Sequence, residues 1–303
     1  MTAPDVIIPG KPGGFWSKVD RITALAALTT IVLWASAFAG IRAGLKSYAP
    51  EHVALLRYLV AAIVLGIYAL LTRMPLPERR DLPRLALLGF LGFSAYNVAL
   101  NAGEVGVSAG VASFIVASAP ILMALGSTTF FGEKLKRWGW IGIAICFIGV
   151  SIISLSSGEG FRLEPAALLV LAAAVCQASY SVGQKTMLKK YGARRFVTYA
   201  IWAGAAFLLV FLPGLVQEMR TASPGATLAV IYMGVFPGAL AYLTWSIVLS
   251  RVPASIAGTF LYTVPVFAVI IAWLWLGEIP GVLALLGGLF VVAGVVVVNT
   301  RGR

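Results

Sequence analysis

The side chains in this chain that could do chemistry are few. Most are uncharged polar groups or aromatic rings set in apolar surroundings. Ser94, Asn97, Asn101 and Glu104 follow one another at spacings of 3, 4 and 3, which puts them on one helical stripe. Tyr242 and Ser246, with Trp245 alongside, form the matching stripe in the second half of the chain. Trp34 and Ser36, Ser113 and Ser118, Gln177, Ser179 and Tyr180, and Thr259, Tyr262 and Thr263 complete the set. An amide left unpaired in hydrocarbon is costly, so each of these groups must face protein or water. The chemistry they offer is recognition. Amides and hydroxyls suit an ammonium and a carboxylate, and aromatic walls suit an apolar side chain. Bond-making has no candidates: His52 is the only histidine, no two carboxylates pair at depth, and Cys146 and Cys176 keep no metal-binding company. No catalytic residue, metal or cofactor is expected.

For a single serine or threonine the competing role is interhelical packing, worth about 0.6 kcal/mol per contact. Asn97, Tyr242 and Trp245 weigh the other way, because they recur at equivalent places beside interrupted helices. The expected substrate contacts are therefore Trp34, Ser36, Asn97, Asn101, Ser113, Ser118, Gln177, Tyr180, Tyr242, Trp245, Tyr262 and Thr263.

The interruptions are two prolines. Pro120 leads to Gly132-Glu133 and Pro265 leads to Gly277-Glu278, and the two sets stand 145 residues apart. Proline removes a helix hydrogen bond and presses on the carbonyl four residues back, here Val116 and Leu261. Matched breaks of this kind, one per half of a polytopic membrane protein, point to a transport site near the bilayer midplane. Pro120 and Pro265 are expected to act as hinges. Arg57 and Glu104 are expected at a shared depth on the outer side, where they could pair as a gate or as a structural bridge. Glu133 and Glu278 close their spans, and Glu278, before Ile279-Pro280, is expected to cap the final helix.

The elements that must position these groups are membrane spans. The chain has 303 residues, 60% hydrophobic and 11% charged, with a mean hydropathy of +0.95. A span needs about 20 mostly apolar residues, and ten candidates fit: 22–42, 53–72, 85–104, 108–131, 138–156, 164–184, 196–216, 226–249, 253–276 and 280–300. Residues 1–20, rich in Pro and Gly, are expected to form a disordered cytoplasmic tail. The net charge of +12 is a topology signal. Alternate loops carry 18 Lys and Arg on the side of the termini and 4 on the other, so both termini are expected in the cytoplasm, and no nucleic-acid partner is implied.

Residues 107–150 lie over 252–295 without a gap, matching Pro120 with Pro265, Gly142 with Gly287 and Gly149 with Gly294. The same offset matches Gly89 with Gly234, while an offset of 143 matches Ala35-Ser36 with Ala178-Ser179. Five spans per half is an odd number, so the second half enters from the opposite side. The expectation is an all-α integral membrane protein of ten transmembrane helices, built as two inverted five-helix repeats, 21–156 and 162–300.

The segments LWASAFAGIRAGL at 33–45, PEHVALLRYLVAA at 50–62, SAGVASFIVASAPILMALGSTTFFGEKL at 108–135 and PASIAGTFLYTVPVFAVIIAWLWLGE at 253–278 carry a resemblance. With Gly238 and Tyr242-Leu-Thr-Trp245, they make the chain similar to ten-helix, EamA-type members of the drug/metabolite transporter superfamily, and within it to the YddG-like amino-acid exporters. The resemblance spans about residues 22–300. It implies a central cavity lined mainly by spans 1, 3, 4, 6, 8 and 9, and export of metabolites, amino acids foremost. Asn97 against Tyr242 and Asn101 against Ser246 depart from repeat symmetry, so the cavity chemistry is expected to be asymmetric.

Other classes fit less well. A pump driven by ATP needs a phosphate-binding loop ending in Lys-Ser or Lys-Thr, which this sequence lacks. A channel needs a filter or charged ring, and a structural protein leaves the paired prolines without a role. The expected activity is facilitative export of a small molecule by alternating access, in a bacterial inner membrane and with lipid as the other partner. The alternative is a proton-coupled multidrug or metabolite efflux carrier working through Glu104. Oligomeric state is not encoded in any motif.

Overall fold

Apolar runs in lipid must satisfy their own backbone groups, and every regular element among the described residues is helical. The structure is a computed structural model, and the residues it describes are 20–119, 121–122, 136–155, 165–251 and 260–301. The expected hinge Pro120, the span end at Glu133, Thr259 and residues 1–19 of the tail lie outside them. In the first half the elements are α1 (Arg21–Gly44), α2 (Pro50–Leu71), α3 (Leu82–Gly89), α4 (Tyr96–Gly103), α5 (Ala109–Val116) and α6 (Arg137–Leu155). The second half has α7 (Pro165–Gly183), α8 (Lys185–Leu208), α9 (Leu212–Glu218), α10 (Pro224–Val235), α11 (Ala241–Arg251), α12 (Val264–Leu276) and α13 (Val282–Arg301). Among the described residues, six helical stretches are long and apolar enough to cross a membrane, and three shorter apolar ones accompany them.

Local chemistry sets the helix starts. Asp20, Ser108 and Ser223 accept the backbone N–H three residues on, satisfying donors that no helical carbonyl reaches. Pro50 and Pro224 stand at the first helical position, where a missing N–H costs nothing. Pro265 follows the same rule. It is the second residue of α12, directly after a 3-10 turn at Leu261–Thr263.

The helices depart from the expected spans in their local geometry. Residues 185–195 were expected as a loop, but Lys185–Leu208 is helical, broken at Gly192 with φ 74° and ψ 161°. The flanking Lys, Met, Leu and Arg residues are good helix formers, and only glycine takes that backbone angle freely. Between α3 and α4 the helix widens to a π-helix at Phe90–Ala95, and between α10 and α11 it does so again at Phe236–Leu240. The second contains Pro237, whose missing N–H favours a wider turn.

The glycines matched by the repeat make reciprocal contacts. A Cβ on Gly89 would sit 2.6 Å from the carbonyl oxygen of Ala200, and one on Gly234 would sit 2.6 Å from that of Arg57. Likewise Gly142 packs on Gly294, and Gly149 on Gly287, with 2.7 and 2.6 Å from the would-be Cβ to the facing carbonyl. As numbering rises along α6 it falls along α13, so these two helices run antiparallel. Small residues permit such backbone approach in lipid, where packing rather than water drives association.

Candidate functional site

Some of the large aromatic side chains join across helices, while Trp138, Trp140, Trp273 and Trp275 are exposed. Trp34 of α1 meets Tyr242 of α11 edge-on at 5.2 Å between ring centroids, and Trp245 at 5.5 Å. Tyr242 lies 5.7 Å from Phe93, which in turn meets Tyr58 of α2 and Tyr180 of α7, both at 5.4 Å. Five segments are thereby tied through ring contacts, each worth about 0.5–1.5 kcal/mol beyond simple burial.

These rings partly surround a cavity of about 230 Å³. Trp34, Ala37, Phe38 and Ile41 contribute from α1, and Arg57 and Tyr58 from α2. Tyr96 and Leu100 of α4 face Ser113, Val116 and Ala117 in and just after α5. Gln177 and Ser181 come from α7, Tyr242 from α11, and Leu261, Tyr262, Val264 and Pro265 from the start of α12. Both halves of the chain therefore meet here.

The expected contacts divide into two groups. Trp34, Ser113, Gln177, Tyr242 and Tyr262 line the cavity, as do Pro265 and Arg57. The others do not. Ser36 bonds Tyr232 Oη at 2.7 Å and donates to the Leu33 carbonyl at 2.8 Å. Asn101 donates to the Pro50 carbonyl at 2.9 Å, while Ser118 and Thr263 turn back on the carbonyls of Ile115 and Phe260. Tyr180 is buried between Phe93 and Phe196, and Trp245 packs behind Trp34. Asn97 is fully buried one layer behind the wall. It accepts from Arg57 Nη1 at 3.2 Å and donates to Tyr58 Oη at 3.0 Å and to the Phe93 carbonyl at 2.8 Å. Tyr58, Tyr96, Phe38 and Ser181 line the cavity without having been singled out in the sequence.

Glu104 and Arg57 form no ion pair. Both carboxylate oxygens of Glu104 are buried without a hydrogen-bond partner. Glu278 does not cap the final helix: its Oε1 pairs with Arg42 Nε at 2.9 Å and its Oε2 accepts the Ala109 N–H of α5 at 3.2 Å. Arg42 Nη1 also donates to the Glu104 carbonyl at 2.6 Å. The end of α1, the start of α5 and the end of α12 are thus clamped together by one ion pair between the halves. At the opposite end of α1, a wider cleft of about 760 Å³ lies among Ile22, Tyr68, Met74, Tyr191, Arg194 and Arg251.

Comparison with known proteins bears on the class. The model of the EamA-like transporter family matches residues 21–155 and again 164–300, once per half. A chain from Bacillus subtilis (strain 168), described as the uncharacterized transporter YdfC, is 48% identical over 88% of this chain and 87% of its own length. A second, from Streptantibioticus cattleyicolor, is described as a probable terminal-alkyne amino-acid exporter; it is 40% identical over 91% of this chain and 93% of its own. One solved crystal structure superposes with a TM-score of 0.63 at 18% identity, over 92% of this chain and 98% of the other, a likeness of fold.

Proposed function

The chain belongs to the EamA-like transporter family, and on that premise we propose that it exports small metabolites, amino acids foremost, by alternating access through the aromatic cavity. The observation that carries this reading is the cavity itself. It lies where both halves meet, and it presents Arg57, Gln177 and Ser181 among aromatic walls. Its volume of about 230 Å³ is below the roughly 300–1,000 Å³ of sites for drug-sized ligands. That favours a single amino acid over a multidrug substrate.

The proposed architecture is ten transmembrane helices in two five-helix repeats, 21–156 and 162–300, of opposite orientation. The antiparallel packing of α6 on α13 through matched glycines supports the inversion, and the basic residues on alternate loops support cytoplasmic termini in an inner membrane. On this topology the Arg42–Glu278 clamp closes the outer side, and the wide cleft by Ile22 faces the cytoplasm. Export then requires the clamp to part while the cytoplasmic ends of the halves close. Pro120 and Pro265 are the proposed points of bending, and Trp34, Ser113, Gln177, Tyr242 and Tyr262 the proposed contacts. Asn97 acts in this scheme through Arg57 and Tyr58.

Counterflow into proteoliposomes tests the reading: vesicles preloaded with unlabelled amino acids should accumulate the labelled compound several-fold above protein-free vesicles. No accumulation of any of the twenty standard amino acids would remove amino acids from the proposal. A proton-coupled carrier is the second reading, favoured by the buried, unpartnered Glu104 carboxylate beside Arg42. Under that reading Glu104→Gln flattens the dependence of transport on a pH gradient. Under the facilitative reading the variant keeps the wild-type profile.

A further inference from the structure

The cavity wall holds a cation that no bonded carboxylate neutralises; the buried Glu104 acts on it only from beyond ion-pair distance. Arg57 is 5% exposed, about two turns into α2 and so well inside the span. One neutral hydrogen bond engages it, from Nη1 to Asn97 Oδ1 at 3.2 Å, and its Cζ lies 5.4 Å from the Tyr58 ring centroid. Nε is buried with no partner, and Arg57 takes part in no ion pair with any described residue. A guanidinium keeps its proton at all working pH values, so burial cannot neutralise it, and a buried charge lacking a counter-ion is costly. Nη2 and the second N–H of Nη1 carry no hydrogen bond to any described residue, and guanidinium N–H groups of this kind pair with a carboxylate.

We infer that Arg57 recognises the carboxylate of the transported molecule, so that the cavity selects small organic acids, amino acids among them, and rejects their amides and amines. The inference rests on the carrier reading above and adds a chemical class to it. Asn97 is a positioning residue here. Its Nδ2 bonds to Tyr58 Oη and to the Phe93 carbonyl hold its Oδ1 against Arg57, which restrains the guanidinium at the wall before any ligand arrives. Such preparation lowers the ordering cost of binding. The amide of Gln177 and the hydroxyl of Ser181, both on the wall, supply neutral acceptors for an ammonium. That group is therefore accommodated rather than required.

The test is competition against labelled L-phenylalanine in counterflow by the full-length protein in proteoliposomes, with three unlabelled probes. 3-Phenylpropanoate keeps the acid and lacks the amine, phenethylamine keeps the amine and lacks the acid, and L-phenylalaninamide keeps the amine and has its acid blocked. The expected order places 3-phenylpropanoate at least about tenfold ahead of the amide and the amine, the size of one charge-assisted hydrogen bond. Arg57→Lys should keep that order with weaker competition, and Arg57→Gln should level the probes. Equal competition by phenylalaninamide in the wild-type protein overturns the inference and leaves the carrier reading standing, without relying on any variant. A retained preference for acids in Arg57→Gln also overturns it. If labelled phenylalanine is not moved, the acid, amine and amide analogues of an amino acid that is moved replace these probes; if none of the twenty is moved, the amino-acid reading falls and the inference with it.

Discussion

Ala117→Trp should cut transport at least about tenfold while leaving the protein folded in the membrane. Ala117 lies one residue past α5 on the cavity wall and is only partly buried, so the added indole has open space in front of it. That space is about 230 Å³ in all, and an indole takes up much of it. The helix packing behind Ala117 is untouched, so the melting temperature in detergent should change by no more than a few degrees. Counterflow should fall at least about tenfold, because the variant removes room that every substrate must occupy. Transport at wild-type rate would mean that the translocated molecule passes elsewhere, for instance through the wide cleft beside Tyr191 and Arg194 without entering the aromatic cavity.

Breaking the Arg42–Glu278 pair should shift the balance between the two ends of the molecule. The side chains are 31% and 23% exposed, so the pair is worth less than a buried one, about 1–2 kcal/mol after solvent screening. That corresponds to about a tenfold change in the equilibrium between clamped and parted states. Glu278→Gln also weakens the acceptor for the Ala109 N–H, which loosens the start of α5 as well. Hydrogen exchange of residues 104–110 and 277–281 should speed up by about that factor, and the charge-swapped pair Arg42→Glu with Glu278→Arg should partly restore protection. Unchanged exchange in Glu278→Gln would show that the ion pair does not hold that end shut.

Much of the fold was legible because lipid leaves an apolar chain few options. The positions of α1, α2, α7 and α10 follow from run length and from Asp20, Pro50, Pro165 and Pro224 at their starts. The matched glycines were also legible, since Gly142, Gly149, Gly287 and Gly294 recur at one offset, and they do meet in the structure. The stripe of Ser94, Asn97, Asn101 and Glu104 is buried along its length, while Tyr96 and Leu100 of the same segment reach the cavity. The members of the stripe turn to protein instead: Ser94 donates to the Gly204 carbonyl at 2.8 Å and Asn101 to Pro50. The Arg42–Glu278 pair was hidden because its partners are 236 residues apart and no local pattern relates them. Arg57 was visible as a buried charge. Its lack of a counter-ion was not, because Glu104 stood at a plausible depth on the same side.

The most direct test of alternating access is the two-sided reactivity of one cavity position. Ala37 of α1 lines the cavity and lies away from the clamp. A chain carrying Ala37→Cys, with Cys146 and Cys176 changed to Ser, would be reconstituted in one orientation and treated with a charged, membrane-impermeant thiol reagent. The account predicts labelling from each side in turn, slowed from both by a transported amino acid and speeded from the outer side by Glu278→Gln. Labelling from one side alone under every condition, or none from either, would contradict it.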